Sequence, residues 1–236
     1  MIELPIALHI PDGFLSGGVA AACGVGAVAA VTYGLRVANS ELDEARVPLL
    51  GVLAAFIFAT QMLNFPIAGG TSGHLLGATL AAVLLGPWLA CLVLGVVLVV
   101  QAFAFADGGI SALGANVLNM GVLGALLAGF LVAAGTKVLP HTRVAFLGVV
   151  GVVSWLAVMV GAAATSVELA ASNTVALGAS LPAMLGVHAL IGIGEAVITV
   201  AAVSAVLAAR PDLVALVPKE LTATGAPATR PVEGTV

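Results

Sequence analysis

The sequence predicts an all-α, polytopic integral membrane protein, a bundle of about seven transmembrane helices. Three observations predict it. The first is composition: 61% of the 236 residues are hydrophobic, and 7 lysines and arginines with 11 aspartates and glutamates make up only 8% of the chain. A soluble domain carries about 25% charge, so this chain cannot solvate the surface of a water-soluble globule. The second is patterning: the apolar residues fall in long continuous runs, not in the short alternating segments of a membrane barrel. In hydrocarbon the backbone must satisfy its own hydrogen bonds, which makes such runs helices. The third is the abundance of alanine and the 29 glycines, against an aromatic content of 5%, which suits close helix packing in lipid. The same figures exclude a disordered chain. A net charge of −4 offers no basic face to nucleic acid.

The runs cover 16–36, 46–64, 74–85, 88–106, 116–138, 144–168 and 182–209. The first follows a polar segment, Leu8-His9-Ile10-Pro11-Asp12-Gly13-Phe14-Leu15, and ends at Arg36. The second opens at Arg46 and closes on Gln61 and Asn64, beside the loop Gly69-Gly70-Thr71-Ser72-Gly73. The third, His74 to Leu85, is stopped by Gly86-Pro87. It is brief for a crossing, and serves as one only with residues from the loop before it. Reading 74–106 as one broken or re-entrant unit gives six spans instead. The fourth run ends at Asp107-Gly108-Gly109, which reads as an outer turn, and the fifth opens with Asn116 and Asn119 facing inward. The sixth lies between Arg143 and Glu168, and the last carries His188 and Glu195. Residues 1–8 lack a basic n-region, so no cleavable signal peptide is expected. One membrane-embedded domain is expected over 1–210, with a polar, disordered cytoplasmic tail over 211–236. Cys23 and Cys91 sit in apolar runs and read as small hydrophobes.

The basic residues set the orientation. Arg36 and Arg46 flank the first connection, Lys137 and Arg143 the one after the fifth run, and Arg210, Lys219 and Arg230 follow the last. An outer N-terminus and a cytoplasmic C-terminus put every one of them inside. His9 and His74 then share the outer face, and His141 alone is cytoplasmic.

Two histidines without paired carboxylates or cysteines suit a borderline metal such as nickel, cobalt, zinc or copper, not calcium. On residues alone a second reading stands beside this one, with His9 as an exposed terminal residue and His74 as a helix cap. Glu195 follows His188 by two helical turns, so both lie on about the same face. A carboxylate at that depth serves either ion passage or a structural hydrogen bond to a neighbouring helix. Gly192-Ile193-Gly194 reads as a packing notch, since the strand and third glycine of a dinucleotide site are missing. Asn64, Asn116, Asn119 and Gln61 read as polar glue between helices. There is no nucleophile–base pair and no phosphate loop of an ATPase, so no enzyme activity is expected and no catalytic cofactor.

Leu8-His9-Ile10-Pro11-Asp12-Gly13-Phe14-Leu15 resembles the amino-terminal Met-His-Ile-Pro-Asp-Gly-Phe-Leu signature of the cobalt/nickel substrate-binding membrane component of energy-coupling factor (ECF) transporters. The resemblance continues through Gly69-Gly70-Thr71-Ser72-Gly73-His74-Leu75-Leu76-Gly77, through Asp107-Gly108-Gly109-Ile110 and Ala112-Leu113-Gly114-Ala115-Asn116 to Asn119-Met120-Gly121, and ends at His188-Ala189-Leu190-Ile191-Gly192-Ile193-Gly194-Glu195-Ala196. It implies uptake of Ni²⁺ or Co²⁺ across the cell membrane, for nickel enzymes or cobalamin synthesis. It implies metal ligation by the terminal amine, the main-chain nitrogen and imidazole of the second residue, and a loop histidine. Carried over, these are the amine of Leu8, His9 and His74. Asp12, Asn64, Ser72, Asp107, Asn116, Asn119, His188 and Glu195 fall in the matching blocks or beside them as supporting residues. The implied partners are an ECF transmembrane coupling subunit, separate ATPase subunits, a small accessory membrane subunit and the lipid. The rival reading is a stand-alone cation transporter or channel that uses Glu195 and His188 as its relay.

The family signature begins at its first residue, whereas here seven residues precede Leu8. The expectation is a functional chain that starts at residue 8, as Met. Intact-mass measurement of metal-loaded native protein checks this, and a mass that includes Met1–Ala7 would exclude it.

Overall fold

The computed structural model describes residues 9–42, 46–63, 65–67 and 71–223. Helices run over Gly17–Glu41 (α1), Val47–Gln61 (α2), Ala78–Leu85 (α3), Pro87–Ala104 (α4), Leu113–Asn116 (α5), Leu127–Val138 (α6), Arg143–Ala171 (α7), Leu177–Ala209 (α8) and Lys219–Ala223 (α9). A π-helical stretch, Val117–Leu126, joins α5 to α6 without a break. Two three-residue strands, β1 (Phe65–Ile67) and β2 (Thr71–Gly73), pair antiparallel with Phe65 opposite Gly73. The disordered tail expected from residue 211 is in fact ordered as far as Ala223. Pro211–Leu213 forms a 3₁₀ turn, Val214 is buried, and α9 follows. Residues 224–236, like Leu8 and Asn64, lie outside the described residues.

Each apolar run of the sequence forms helix over most of its described length, but His74–Gly77 are loop and the third run is helical only from Ala78. Among the described residues, five helical stretches are long and apolar enough to cross a membrane: 17–40, 87–104, 113–138, 143–171 and 177–209. Val47–Gln61 is a shorter apolar helix. At about 1.5 Å per residue, the eight residues of α3 cover about 12 Å, less than half of a hydrocarbon layer. Glycines with positive φ fix this length. Gly77 (φ 70°) precedes the helix and Gly86 (φ 88°) ends it, with Pro87 opening α4. The left-handed region costs glycine nothing, so the chain can break sharply at both places.

All eight residues of α3 are buried. The helix sits between α4, α6, α7, α8 and the π-helix, so apolar side chains surround it without lipid contact. The outer helices show the reverse. Val25, Val28, Leu35, Val96, Val152 and Val197 are exposed, whereas His9, Gln61, His74, Asn116, His188 and Glu195 are buried. Polar inside and apolar outside is the distribution a lipid solvent selects.

The contacts also sort the ends of the bundle. Tyr33 near the end of α1 stacks on Trp88 at the start of α4 (ring centroids 4.6 Å), and Trp88 meets Phe130 of α6. Arg143 Nη2 donates to the Ser204 carbonyl at 2.8 Å, His141 lies 3.1 Å from Glu220, and the Leu216 amide donates to the Val83 carbonyl. Arg36, Lys137, Arg143, Arg210 and Lys219 thus gather at one end. At the other end Phe58 of α2 meets Phe105, which follows α4.

Close helix approach depends on missing side chains. A Cβ on Gly192 would lie 2.8 Å from Trp155 Cδ1, whereas Gly194 faces open space. The packing notch is therefore at Gly192 alone. Gly192→Ala is expected to destabilise the bundle by about 1–3 kcal/mol through overpacking. Gly194→Ala is expected to be neutral, or to stabilise by up to about 1 kcal/mol through helix propensity. Thermal unfolding of the two variants in detergent checks the contrast.

Candidate metal centre

The amino-terminal segment packs inward, so His9 is not the exposed terminal residue of the second reading. His9 and Ile10 are 2% and 1% exposed. Ile10 sits among Cys23, Ala112, Ala115 and Leu169. Asn116 holds its backbone as a strand partner would: the Ile10 amide donates to Asn116 Oδ1 at 2.8 Å, and Asn116 Nδ2 donates to the Ile10 carbonyl at 3.1 Å. The Gly109 amide donates to the same carbonyl at 2.8 Å. Further along, Asp12 Oδ1 accepts the Ser111 amide at 2.7 Å and the Ser111 hydroxyl at 2.6 Å, and the Thr174 hydroxyl donates to the Phe14 carbonyl. Segment 9–14 is thus laced to the loop after α4 and to the loop after α7.

The turn Asp107-Gly108-Gly109 is where the segment comes closest. A Cβ on Gly109 would lie 2.3 Å from the Asp12 nitrogen and 2.5 Å from the Pro11 carbonyl carbon. Gly108 has φ 89° and faces His9. Only glycine lets the two backbones approach this closely.

This lacing brings His9 to His74, with ring centroids 4.4 Å apart and planes tilted by 52°. His74 stands in the loop between β2 and α3 and is 1% exposed. Its Nδ1 lies 2.8 Å from the Leu75 carbonyl, which fixes the proton on that nitrogen and leaves Nε2 as a lone-pair donor without a partner. His9 Nδ1 lies 3.1 Å from Asp107 Oδ1, close but out of line for a good hydrogen bond, and its Nε2 is unpartnered. Burial raises the Asp107 carboxyl, but His9 and then His74 hold it below its ordinary value of 3.8, so it is ionised. The result is two buried imidazoles beside one ionised carboxylate. Among the described residues no three His, Cys, Asp or Glu side chains converge into a metal cage. Any further ligands to a cation held between His9 and His74 are therefore main-chain or terminal nitrogens, or come from outside those residues.

The supporting residues separate into groups. Glu195 faces the His74 loop. Its Oε2 accepts the Leu76 amide at 2.8 Å and its Oε1 the Gly77 amide at 2.7 Å. Gln61 Nε2 donates to the Leu76 carbonyl at 2.8 Å from the other side. His188 is fully buried, with Nδ1 2.7 Å from the Met184 carbonyl and Nε2 unpartnered. Each of the two groups proposed for a relay thus has its own backbone partner. Asn116 and Asp12 hold the amino-terminal segment. Asn119 points elsewhere: its Nδ2 donates to Glu168 Oε2 at 2.7 Å, and the Cys23 thiol donates to Glu168 Oε1 at 3.4 Å. Cys23, read as a plain hydrophobe, thus has a polar partner. Ser72 lies in β2, paired with Pro66, and its side chain lies outside the description. Ser111 and Thr174 bind residues near the site across 99 and 160 positions of chain, and no local pattern marks them.

Fold and site together define a polytopic membrane protein that keeps two buried imidazoles at the head of a broken helix. A family model described as the cobalt uptake substrate-specific transmembrane region matches residues 9–213. The chain belongs to that family, so it is a multi-pass membrane component of metal transport and not an enzyme. A fused protein of Archaeoglobus fulgidus named for nickel transport is 39% identical over 210 residues, 88% of this chain and 68% of that one. A cobalt transport protein of Sorangium cellulosum is 33% identical over 214 residues, 87% of this chain and 94% of that one. The crystal structure of a truncated transition metal transporter superposes with a TM-score of 0.74 at 34% identity, covering 84% of this chain and 98% of that one.

Gly109→Ala is expected to unseat the amino-terminal segment, seen as faster amide hydrogen exchange at residues 9–15 with the helices still protected. Acid should have a milder form of the same effect. The Ser111 hydroxyl and then its amide hold the Asp12 carboxyl below its ordinary 3.8. The Asp12 contribution is therefore complete above 3.8 and lost as pH falls through the lower folded value. Hydrogen exchange between pH 5 and 2.5 (about those limits) checks the sign, with Asp12→Asn showing no such step.

Proposed function

We propose that the chain captures Ni²⁺ or Co²⁺ on the outer side of the cell membrane, as the substrate-specific component of an ECF-type transporter. The observation that carries this reading is the buried His9–His74 pair, brought together from 65 positions apart with ring centroids at 4.4 Å. Imidazole nitrogens without thiolates suit nickel and cobalt. His74 offers Nε2, because its Nδ1 is tied to the Leu75 carbonyl. His9 uses Nδ1, the nitrogen that can close a small chelate ring with its own main-chain nitrogen. That nitrogen now faces Asp107, so an ion taken up there gains a carboxylate as charge partner. The amine of residue 8, as chain start, completes the set. All-nitrogen planar coordination favours Ni(II) over Zn(II), which prefers tetrahedral sites.

The gathering of Arg36, Lys137, Arg143, Arg210 and Lys219 at one end supports that end as cytoplasmic and the histidine end as outer. About seven membrane segments follow if α2 and the β2–α3 unit each count as one. Energy comes from separate ATPase subunits, working through a coupling membrane subunit. A small accessory subunit completes the assembly, and the metal goes to nickel enzymes or cobalamin synthesis.

Equilibrium Ni²⁺ and Co²⁺ binding to purified protein with a defined start at residue 8 tests the reading. His9→Ala is expected to abolish binding. His74→Ala should weaken it severely, since the amino-terminal nitrogens remain. His141→Ala, at the opposite end, should bind as the unsubstituted protein does. Equal binding by all three variants would remove the reading.

A further inference from the structure

The His74 loop has an unusual support. Residues 74–77 lead into α3, and the residue that caps the helix is Gly77, which has no side chain to hold the first free amides. A helix start that is buried without such a partner leaves N–H groups unsatisfied. Just before that start, two further amides are held by Glu195 from a distant helix. It lies on α8, is 3% exposed, and gives one carboxylate oxygen to each of two consecutive amides, Leu76 and Gly77. Both bonds are short, and a buried carboxylate on backbone amides makes strong, charge-assisted bonds. Gln61 of α2 holds the Leu76 carbonyl on the opposite side. Gly77 is also pressed against Ile57, where a Cβ would lie 2.9 Å from Cγ1. The loop between His74 and α3 is therefore clamped between α2 and α8. Among the described residues, the hydrogen-bond partner of the His74 ring is its own neighbour's carbonyl and His9 packs beside it, so the ring's position follows the backbone it stands on.

We propose that Glu195 is a positioning residue for the captured ion: through the Leu76 and Gly77 amides it sets where His74 Nε2 stands, and ties that donor to α8. The proposal rests on the reading of His9 and His74 as the ion's imidazole ligands. It assigns Glu195 no direct contact with the metal and no relay of protons or ions. A movement of α8 shifts His74 relative to the amino-terminal segment, which is held by a different set of contacts on the loop after α4. The two imidazoles are thus carried by separate parts of the bundle, and Glu195 is the link for one of them.

A double-mutant cycle tests this, read as Ni²⁺ affinity and as the ligand-field bands of bound Ni²⁺. Glu195→Gln keeps the size of the side chain but loses the charge and one acceptor. It is expected to weaken binding by about 10–100-fold, the usual effect of losing an outer-sphere partner, and to shift the bands. In a His74→Ala background the same substitution is expected to have no further effect on affinity, because the donor it positions is gone. Glu195→Asp, which keeps the charge at shorter reach, should fall between the two and serves in the cycle if Glu195→Gln does not fold. Normal affinity with unshifted bands in the Glu195 variants, or an undiminished penalty in the His74→Ala background, would overturn the proposal alone. Unimpaired binding by His74→Ala would overturn the reading of the site and the proposal with it.

Discussion

In hydrocarbon every polar group must find its partner inside the protein, and the rest of this structure follows from that constraint. A helix that crosses the layer meets it unaided. A broken helix does not, because each break frees amides and carbonyls. The break before α3 is the clearest case. Its amides are met by Glu195 and its Leu76 carbonyl by Gln61. The costly carboxylate at mid-bundle and the interrupted helix satisfy each other, and neither is tenable alone.

The same accounting explains how a polar amino-terminal segment can enter the bundle. Asn116 offers the Ile10 backbone both a donor and an acceptor, Gly109 adds a second donor, and Ser111 meets the Asp12 carboxylate. With its backbone satisfied and Ile10 in an apolar nest, the segment delivers His9 to the interior. The imidazole pair is thus assembled from two pieces of non-helical chain, each clamped by helices that bring no ligand of their own.

Much of this was legible in the sequence, and the physical reason is range. Hydropathy is a local property, so each apolar run appears as a helix, and Gly77 and Gly86-Pro87 mark the limits of the short one. The meeting of His9 and His74 followed from topology, because the connections place both at one end of the bundle. The supports were not legible. Glu195 is 119 positions from Leu76, and Asn116 is 106 from Ile10. A buried carboxylate announces that it has a partner but not which one. The sequence left ion passage and a structural bond open for Glu195, and the structure gives it backbone amides. The tail misled for the opposite reason: a segment rich in proline, threonine and alanine reads as frayed, and its docking depends on distant partners, the Val83 carbonyl for Leu216 and His141 for Glu220.

That docking moves the boundary of the folded unit. The Val83 carbonyl lies in the last turn of α3, where no amide of that helix remains to bond it, and the Leu216 amide fills the place while Val214 is buried beside it. The core of the bundle is therefore completed by residues that come after the last long helix. A shortened chain cut at Ala209, the natural choice from a hydropathy plot, would strip the Val83 carbonyl of its partner and uncover the last turn of α3.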